Sequence, residues 1–424
     1  MSRHIYTLLL FLLLPFVPIK LVWRGIRQPE YLRHWRERFG YYPAISRSDK
    51  PVIWLHCVSV GETRAAEPLV HELQRRNPHH KILITHGTPT GRQTGEQLFA
   101  GTVERVYLPY DLPGAVQRFL EYYRPDVGLL LETELWFNLI AACKRNGIPL
   151  LLVNARLSQR SADGYARVDK LTRQGLGSLA GVAAQAEADA KRLQALGANR
   201  VEVFGNLKFD VRPPAAAHEN GSQLRRQFGS ARAVFLAAST RDGEEAMILK
   251  AVAGLGIPGL LTLLVPRHPQ RFGEVAELLN QHNLKFLRRT GLSQETAVPA
   301  DVDVVLGDSM GEMFTYYASC DVAFIGGSLL PFGGQNLIEA AAMGKPLIIG
   351  PHTYNFEEIA ELAVASNSAL RIRNEAELRQ SLLQLMQDAA LRSRMGEAAL
   401  QFSRSAGGTA ERIAKMVEPY LTSA

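Results

Sequence analysis

Beyond residue 50 the chain alternates between two patterns. Short runs, VIWLHCVSV, KILITH, RVYLPY, VGLLLE, PLLLVNA, GVAAQA and VEVFGN, are apolar at nearly every position, and amphipathic stretches of helical period separate them. A strand apolar on both faces must be covered on both faces, so the pattern predicts parallel strands between helical layers. The alternation pauses at DVRPPAAAHENGS, residues 210 to 222, whose Pro, Ala and polar residues predict a linker. It restarts with AVFLAAS, LTLLVPRH, VDVVLGD, VAFIGGS and PLIIGP, and a helical segment from about Glu375 to Leu421 follows, broken at Gly407-Gly408. The expected fold is α/β, with two Rossmann-like domains facing a cleft. Its predicted layout is an anchor and basic flank at 1–28, a first domain at 29–209, a linker at 210–232, a second domain at 233–405, and a C-terminal helix at 406–424 placed to pack back on the first domain.

The N-terminus follows a different pattern. From Ile5 to Ile19 the sequence IYTLLLFLLLPFVPI carries no charge, and Leu21, Val22 and Trp23 extend it past Lys20. A helix needs about 20 apolar residues to cross a bilayer, so the stretch is marginal as a span. Pro15 and Pro18 leave open whether it spans the bilayer or lies in its interface. It lacks a small-x-small cleavage site and is followed by Lys20, Arg24, Arg27, Arg33, Arg36 and Arg38 against Glu30 and Glu37. A retained membrane anchor with the rest of the chain on the cytoplasmic side is the expectation.

Composition adds little to this. The 424 residues include 46% hydrophobic and 21% charged, the proportions of an ordinary globular protein long enough for two domains. A net charge of +7 favours an anionic partner such as a phosphate ester or a membrane surface. Cys57, Cys143 and Cys320 lie far apart with no C-x-x-C pair, which argues against a disulfide framework and a zinc site and predicts buried small hydrophobes.

In parallel sheets ligands sit outside the carboxyl ends of the strands, so the chemistry is sought there. In the second half Arg267 and His268 follow a strand between two prolines, and Arg presents a planar fork of donors suited to phosphate. The loop Gly307, Asp308, Ser309, Met310, Gly311 and Glu312 follows the next strand, with a helix expected to open near Met310; Asp308 or Ser309 could also serve as its N-cap. In IGGSLLPFGGQNLIEAAAMGKPLIIGPHTYNF, Asn336 is expected to open a helix that carries Glu339, a carboxylate placed to accept ribose hydroxyls. The pair Asp301 and Asp303 could form a metal-binding D-x-D, but it begins a strand instead of ending one. The first half has no such phosphate apparatus. Its strand ends carry Ser59, Gly61 and Glu62 in VSVGET, Thr88 and Thr90 in TPTG, Glu132 and Glu134 in LLLETELW, and Asn154, Arg156 and Ser158 in VNARLSQRS. Carboxylates at strand ends predict acid/base work on a hydroxyl-bearing acceptor.

These residues resemble, over essentially the whole chain, the 3-deoxy-D-manno-octulosonic acid (Kdo) transferases of lipopolysaccharide synthesis. The matching signals are the apolar N-terminus, HCVSVGET, LPYDLP, ETELW, NARLSQRSADGY, LKFD, VPRHPQRF, GDSMGEM, IGGSL, GGQN with EAAA, and GPHTYNF. The resemblance implies a GT-B glycosyltransferase that takes Kdo from CMP-Kdo to a lipid A precursor of the lipid IVA type, with inversion, at the cytoplasmic leaflet of the inner membrane. It implies no metal, no other cofactor and no nucleic acid. It places the catalytic base on Glu62, with Glu132 and Glu134 supporting the acceptor side, and Ser59, Gly61, Thr88, Thr90, Arg156 and Ser158 around it. Donor binding falls on Arg267, the loop Gly307 to Glu312, Asn336 and Glu339. Three residues depart from the family pattern: Phe137 stands where a proline is common, and Gln335 and Leu337 stand in place of the His and Pro of a G-G-H-N-P motif. A Gln hydrogen-bonds but does not titrate as His does. Two other readings are open: a GT-B enzyme using UDP-N-acetylglucosamine, and a membrane-tethered binding protein that kept the fold without catalysis.

Overall fold

The computed structural model describes residues 1–43, 50–293 and 296–421. The chain divides into two compact units, residues 1–210 with 406–424, and residues 211–405.

The first unit is built on a seven-stranded parallel sheet. Its strands are β1 (Val52–Cys57), β2 (Lys81–His86), β3 (Glu104–Tyr107), β4 (Val127–Leu131), β5 (Leu150–Ala155), β6 (Gly181–Ala184) and β7 (Val201–Val203), in the order β3-β2-β1-β4-β5-β6-β7. β1 is buried along its whole length. Its side chains alternate between two cores: Trp54 packs with Phe119, Leu130 and Leu152 on one face, and Ile53, Leu55 and Cys57 pack with Ala66, Leu69 and Val153 on the other. The sequence is apolar on both sides of the strand because helices cover both sides. All three cysteines are free and buried.

The C-terminal helix Thr409–Val417 completes the second of these cores, contributing Ala410, Ile413, Ala414 and Val417. The Asp210 carboxylate accepts from the amides of Thr409, at 3.1 Å, and Ala410, satisfying donors that a helix start leaves free. Arg76 adds ion pairs to Glu411 at 3.2 Å and Glu418 at 2.7 Å. Residues 422–424 of this expected segment lie outside the described residues.

The second unit repeats the plan with β8 (Val234–Thr240), β9 (Leu261–Pro266), β10 (Phe286–Arg288), β11 (Val304–Leu306), β12 (Val322–Ile325), β13 (Leu347–Ile349) and β14 (Ala369–Arg371), in the order β10-β11-β9-β8-β12-β13-β14. The predicted linker is largely helical. Ala217–Phe228 forms a helix within this unit, burying Leu224 and Phe228. Gly221 brings it against the helix Met313–Ser319 so closely that a Cβ there would come within 2.1 Å of the Ala318 Cβ. Gly221 thus permits close helix packing.

The apolar N-terminus forms two helices, Arg3–Leu13 and Phe16–Arg27. No single helix among the described residues is long and apolar enough to cross a membrane; Arg3–Leu13 and Phe16–Ile26 meet that measure only as a pair bent by 52°. The first is held to the domain by the Tyr6 hydroxyl, which donates to Asp111 at 2.8 Å, and the Thr7 hydroxyl, which donates to Asn138 at 2.9 Å. The basic flank is not uniformly solvated: Arg38 is buried, stacks 3.9 Å from the centre of the Tyr107 ring, and donates to the Gly87 carbonyl.

Candidate functional site

In each sheet the chain builds one side first and then crosses to the other, which leaves a topological switch point where ligands of such folds bind. In the first sheet it falls between β1 and β4. Glu62 follows β1 and Glu132 and Glu134 follow β4, so the three carboxylates predicted from sequence meet at that point.

Glu62 lies in the first turn of the helix Val60–Arg76, whose N-cap is Ser59. The Ser59 hydroxyl donates to Glu62 Oε1 at 2.9 Å, the Val58 amide donates to Oε2 at 2.8 Å, and the Glu62 amide donates back to Ser59 Oγ at 3.3 Å. The Ser59 side chain caps the helix, and the carboxylate, held by that hydroxyl and by the Val58 amide just before the cap, is fixed in position. Glu62 is only 7% exposed. Burial pushes its pKa up to about 7, the bonds from Val58 and Ser59 oppose that rise, and the nearby charges of Glu132 and Glu134 add to it. A carboxylate poised near neutrality takes up a proton far more readily than an ordinary one.

Glu132 has a left-handed backbone, φ 59°, an uncommon conformation for a residue with a side chain. Its carboxylate is 3.9 Å from Lys208. Glu134 is raised by burial and, further, by Glu132. The next strand end repeats the feature: Asn154 has φ 52°, is fully buried, and accepts from the Leu207 amide at 3.0 Å. Lys208 follows that contact directly. In the sequence LKFD entered only through the resemblance; in the structure it brings Lys208 beside Glu132.

The remaining acceptor-side residues fall into two groups. Thr88 caps the helix Pro89–Phe99 and donates to the Val58 carbonyl at 3.1 Å, tying the TPTG loop to the strand end that carries Glu62. Gly61 and Thr90 are exposed nearby in sequence to these caps. Ser158 caps the helix Gln159–Ala166, and Arg156 is exposed, its carbonyl accepting from the Thr133 hydroxyl.

In the second sheet the switch point lies between β8 and β12. There Ser239 is left-handed, φ 55°, and its carbonyl oxygen lies 2.5 Å from where a Cβ on Gly326 would stand, so only glycine fits. Arg241 follows, its guanidinium over the Phe332 ring at 4.6 Å. Neither Ser239 nor Arg241 was singled out in the sequence; a strand ending in S-T-R was the available signal. Arg267 ends β9, and its Nε donates to Gln335 Oε1 at 3.2 Å. His268 is held below its ordinary value, first by desolvation and then by Arg241, Arg267 and Arg271. Burial raises Glu339, while Arg267 and Asn336 draw it down.

The Gly307–Glu312 loop departs from expectation. The helix opens at Met313, not Met310, and Met310 is exposed. Asp308 accepts from the Thr290 amide and hydroxyl, both at 2.9 Å, and pairs with Arg288 at 3.3 Å. Ser309 donates to Glu312, which also pairs with Arg289 at 2.8 Å. These side chains brace the loop; Gly307 is buried with its amide donating to the Leu264 carbonyl at 2.8 Å, and the exposed part of the backbone is at Met310 and the left-handed Gly311. The helix expected to open at Asn336 is a single five-residue turn, Ile338–Ala342, with the Asn336 side chain accepting from the Ile338 amide at 3.0 Å. Asp301 pairs with Lys285 at 2.7 Å, and Asp303 accepts from the Lys285 amide, so neither forms part of a D-x-D site. Among the described residues no group of three His, Cys, Asp or Glu side chains is placed to hold a metal ion.

Comparison with known proteins accords with this arrangement. Residues 33–211 match the family model 3-deoxy-D-manno-octulosonic-acid transferase (kdotransferase), and residues 281–402 match glycosyl transferases group 1. The 3-deoxy-D-manno-octulosonic acid transferase of Bordetella pertussis is 42% identical over 99% of this chain and 100% of its own. That of Haemophilus influenzae is 36% identical over 99% of both chains. Among solved structures, MurG of Acinetobacter baumannii shares the fold, with a TM-score of 0.54 at 13% identity, over 87% of this chain and 99% of its own. The two parallel sheets are thus those of a GT-B glycosyltransferase, and the chain belongs to the 3-deoxy-D-manno-octulosonic acid (Kdo) transferase family of lipopolysaccharide biosynthesis.

Proposed function

We propose that the protein transfers Kdo from CMP-Kdo to a lipid A precursor of the lipid IVA type, with inversion and with Glu62 as general base. The observation that carries this reading is the poise of Glu62, fixed by Ser59 and Val58 at the first switch point and raised to about 7. Glu62 removes the proton from an acceptor sugar hydroxyl. The freed oxygen pair forms the new bond to the anomeric carbon of Kdo, and the bond from that carbon to the phosphate oxygen breaks, its electrons leaving with CMP. Glu62 later releases its proton to solvent. A positioned general base contributes about 10²–10⁴-fold, and orientation and charge stabilisation supply the rest.

On the donor side, Arg241 and Arg267 meet the phosphate, the Gly307–Gly311 backbone lies against the nucleotide, and Glu339 with Asn336 accepts the ribose hydroxyls. CMP leaves as a monophosphate, a charge that guanidinium groups can neutralise. The first unit rests on the cytoplasmic leaflet of the inner membrane. Support comes from the outward apolar face of the N-terminal helices, where Leu12, Phe16, Ile19 and Ile26 are exposed. A face of this kind lies in the bilayer interface.

The test is transfer from CMP-Kdo, generated in situ, to a lipid A precursor, with wild type beside Glu62→Gln and the lipid analysed by mass spectrometry. Wild type is expected to add Kdo, and the mutant to fold and bind CMP while transferring at least about 100-fold more slowly. Undiminished transfer by the mutant removes Glu62 as base.

A further inference from the structure

We propose that a cavity beside the first helix binds the headgroup of an anionic bilayer phospholipid whose acyl chains continue along the exposed apolar face of that helix. The inference rests on the reading that the first unit sits on a membrane. The cavity, about 380 Å³ and open on one side, lies between the N-terminus of the helix Arg3–Leu13, the helix Phe137–Arg145 and the helix Asp169–Leu176. Its floor is apolar, formed by Phe137, Ile140 and Leu171, and its rim carries Arg3, Lys144 and Arg145 with no carboxylate among the lining residues.

The cations are not explained by the fold alone. Lys144 and Arg145 stand in the last turn of their helix, where positive charge suits the dipole. Arg3 stands at the first position of its own helix, where positive charge opposes the dipole, and no acid shares that turn. Its field lowers the buried Asp111, yet among the described residues neither Arg3 nor Arg145 forms an ion pair, and Lys144 reaches only the Ser178 hydroxyl, at 3.4 Å. Three unpaired cations over an apolar floor complement an anion with a hydrocarbon tail. Phe137 serves both parts of the site: it lines the floor, and its ring meets Tyr6 edge-on at 5.4 Å, holding the first helix in place. The outward side of that helix, with Ile5, Leu8 and Leu12 exposed, gives the tail its path.

The experiment reconstitutes the full chain into nanodiscs of phosphatidylcholine with or without phosphatidylglycerol, extracts it in mild detergent, and identifies retained lipid by native mass spectrometry. Wild type is expected to retain phosphatidylglycerol in preference to phosphatidylcholine. A cation near an anionic surface is worth about fivefold in binding, so Arg3→Gln, Lys144→Gln and Arg145→Gln together are expected to weaken retention on the order of 100-fold. Ala141→Trp, which fills the cavity without changing charge, is expected to abolish retention as well. Both variants should enter neutral nanodiscs and keep the wild-type KM for detergent-dispersed acceptor. Unchanged retention in the variants overturns the proposal, as does displacement of the lipid by millimolar inorganic phosphate, which marks a free-anion site. A raised acceptor KM in both variants also overturns it, because the cavity is then an acceptor subsite. Failure of wild type to transfer Kdo would count against the enzymatic reading while leaving lipid retention readable.

Discussion

The Ser59 hydroxyl and the Glu62 carboxylate bind each other's ends: Oγ donates to Oε1 at 2.9 Å and accepts from the Glu62 amide at 3.3 Å. One contact therefore starts a helix and aims the proposed base. The base must be ionised to act, so kcat/KM is expected to fall as pH drops through about 7. Ser59→Ala removes a bond that favours the charged form, so the acid limb should move to higher pH; Glu134→Gln removes a repelling charge, so the limb should move lower. Losing the cap also costs about 1 kcal/mol of stability. A pH–rate profile of the three proteins checks this, and a limb unmoved by either change would separate it from Glu62.

The same burial has a thermodynamic counterpart. The folded-state pKa of Glu62, about 7, lies above the ordinary 4.5. Below 4.5 the group is neutral whether folded or unfolded and costs nothing; between 4.5 and about 7 the unfolded chain gives up its proton first, so stability falls as pH rises. Above 7 the penalty is complete. Glu62→Gln is free of it, so its melting temperature relative to wild type is expected to climb from pH 4.5 to 7 and then level off. Thermal unfolding at a series of pH values measures the difference directly.

Glu132 carries a backbone cost. A side chain at φ 59° is disfavoured by about 1 kcal/mol relative to glycine, and such strain persists where function holds it. Its ion pair with Lys208, at 3.9 Å and partly exposed, offers little in return. Glu132→Gly is therefore expected to melt higher than wild type and to transfer Kdo more slowly. A variant less stable than wild type would show that the carboxylate holds the fold rather than serving the reaction.

Central strands were legible because burial on both faces leaves a continuous apolar run. The two that the runs missed, β10 and β14, are three residues long, partly exposed, and stand at opposite edges of the second sheet, where one side needs no apolar cover. The helix over residues 217–228 was hidden by the Pro, Ala and polar residues of 210–222, which read as a linker; its Gly221 makes a close contact with Ala318. The carboxylates at the first switch point could be read from strand ends, but the left-handed turns at Glu132, Asn154 and Ser239 could not, since nothing in a sequence records a positive φ at a residue with a side chain. Side-chain partners within charged loops were also beyond the sequence. Asp308 meets Arg288 and Thr290, and Glu312 meets Arg289, contacts across about 20 residues that no local pattern records.

The last prediction concerns Gln335. Its Oε1 accepts from Arg267 Nε at 3.2 Å, which leaves the two terminal guanidinium nitrogens of Arg267 for an anion. A side chain that orients another affects affinity less than the one it orients. CMP is expected to raise the melting temperature of wild type, since a ligand at about 100 times its Kd stabilises by about 2.7 kcal/mol. Arg267→Gln should lose most of that shift, Gln335→Ala a smaller part, and Gln335→Glu should keep Arg267 in place while adding a negative charge that repels the phosphate. UDP should protect wild type less than CMP. Equal protection by UDP, or a full CMP shift in Arg267→Gln, would take the nucleotide phosphate away from Arg267 and leave Arg241, at the second switch point, as the guanidinium to test.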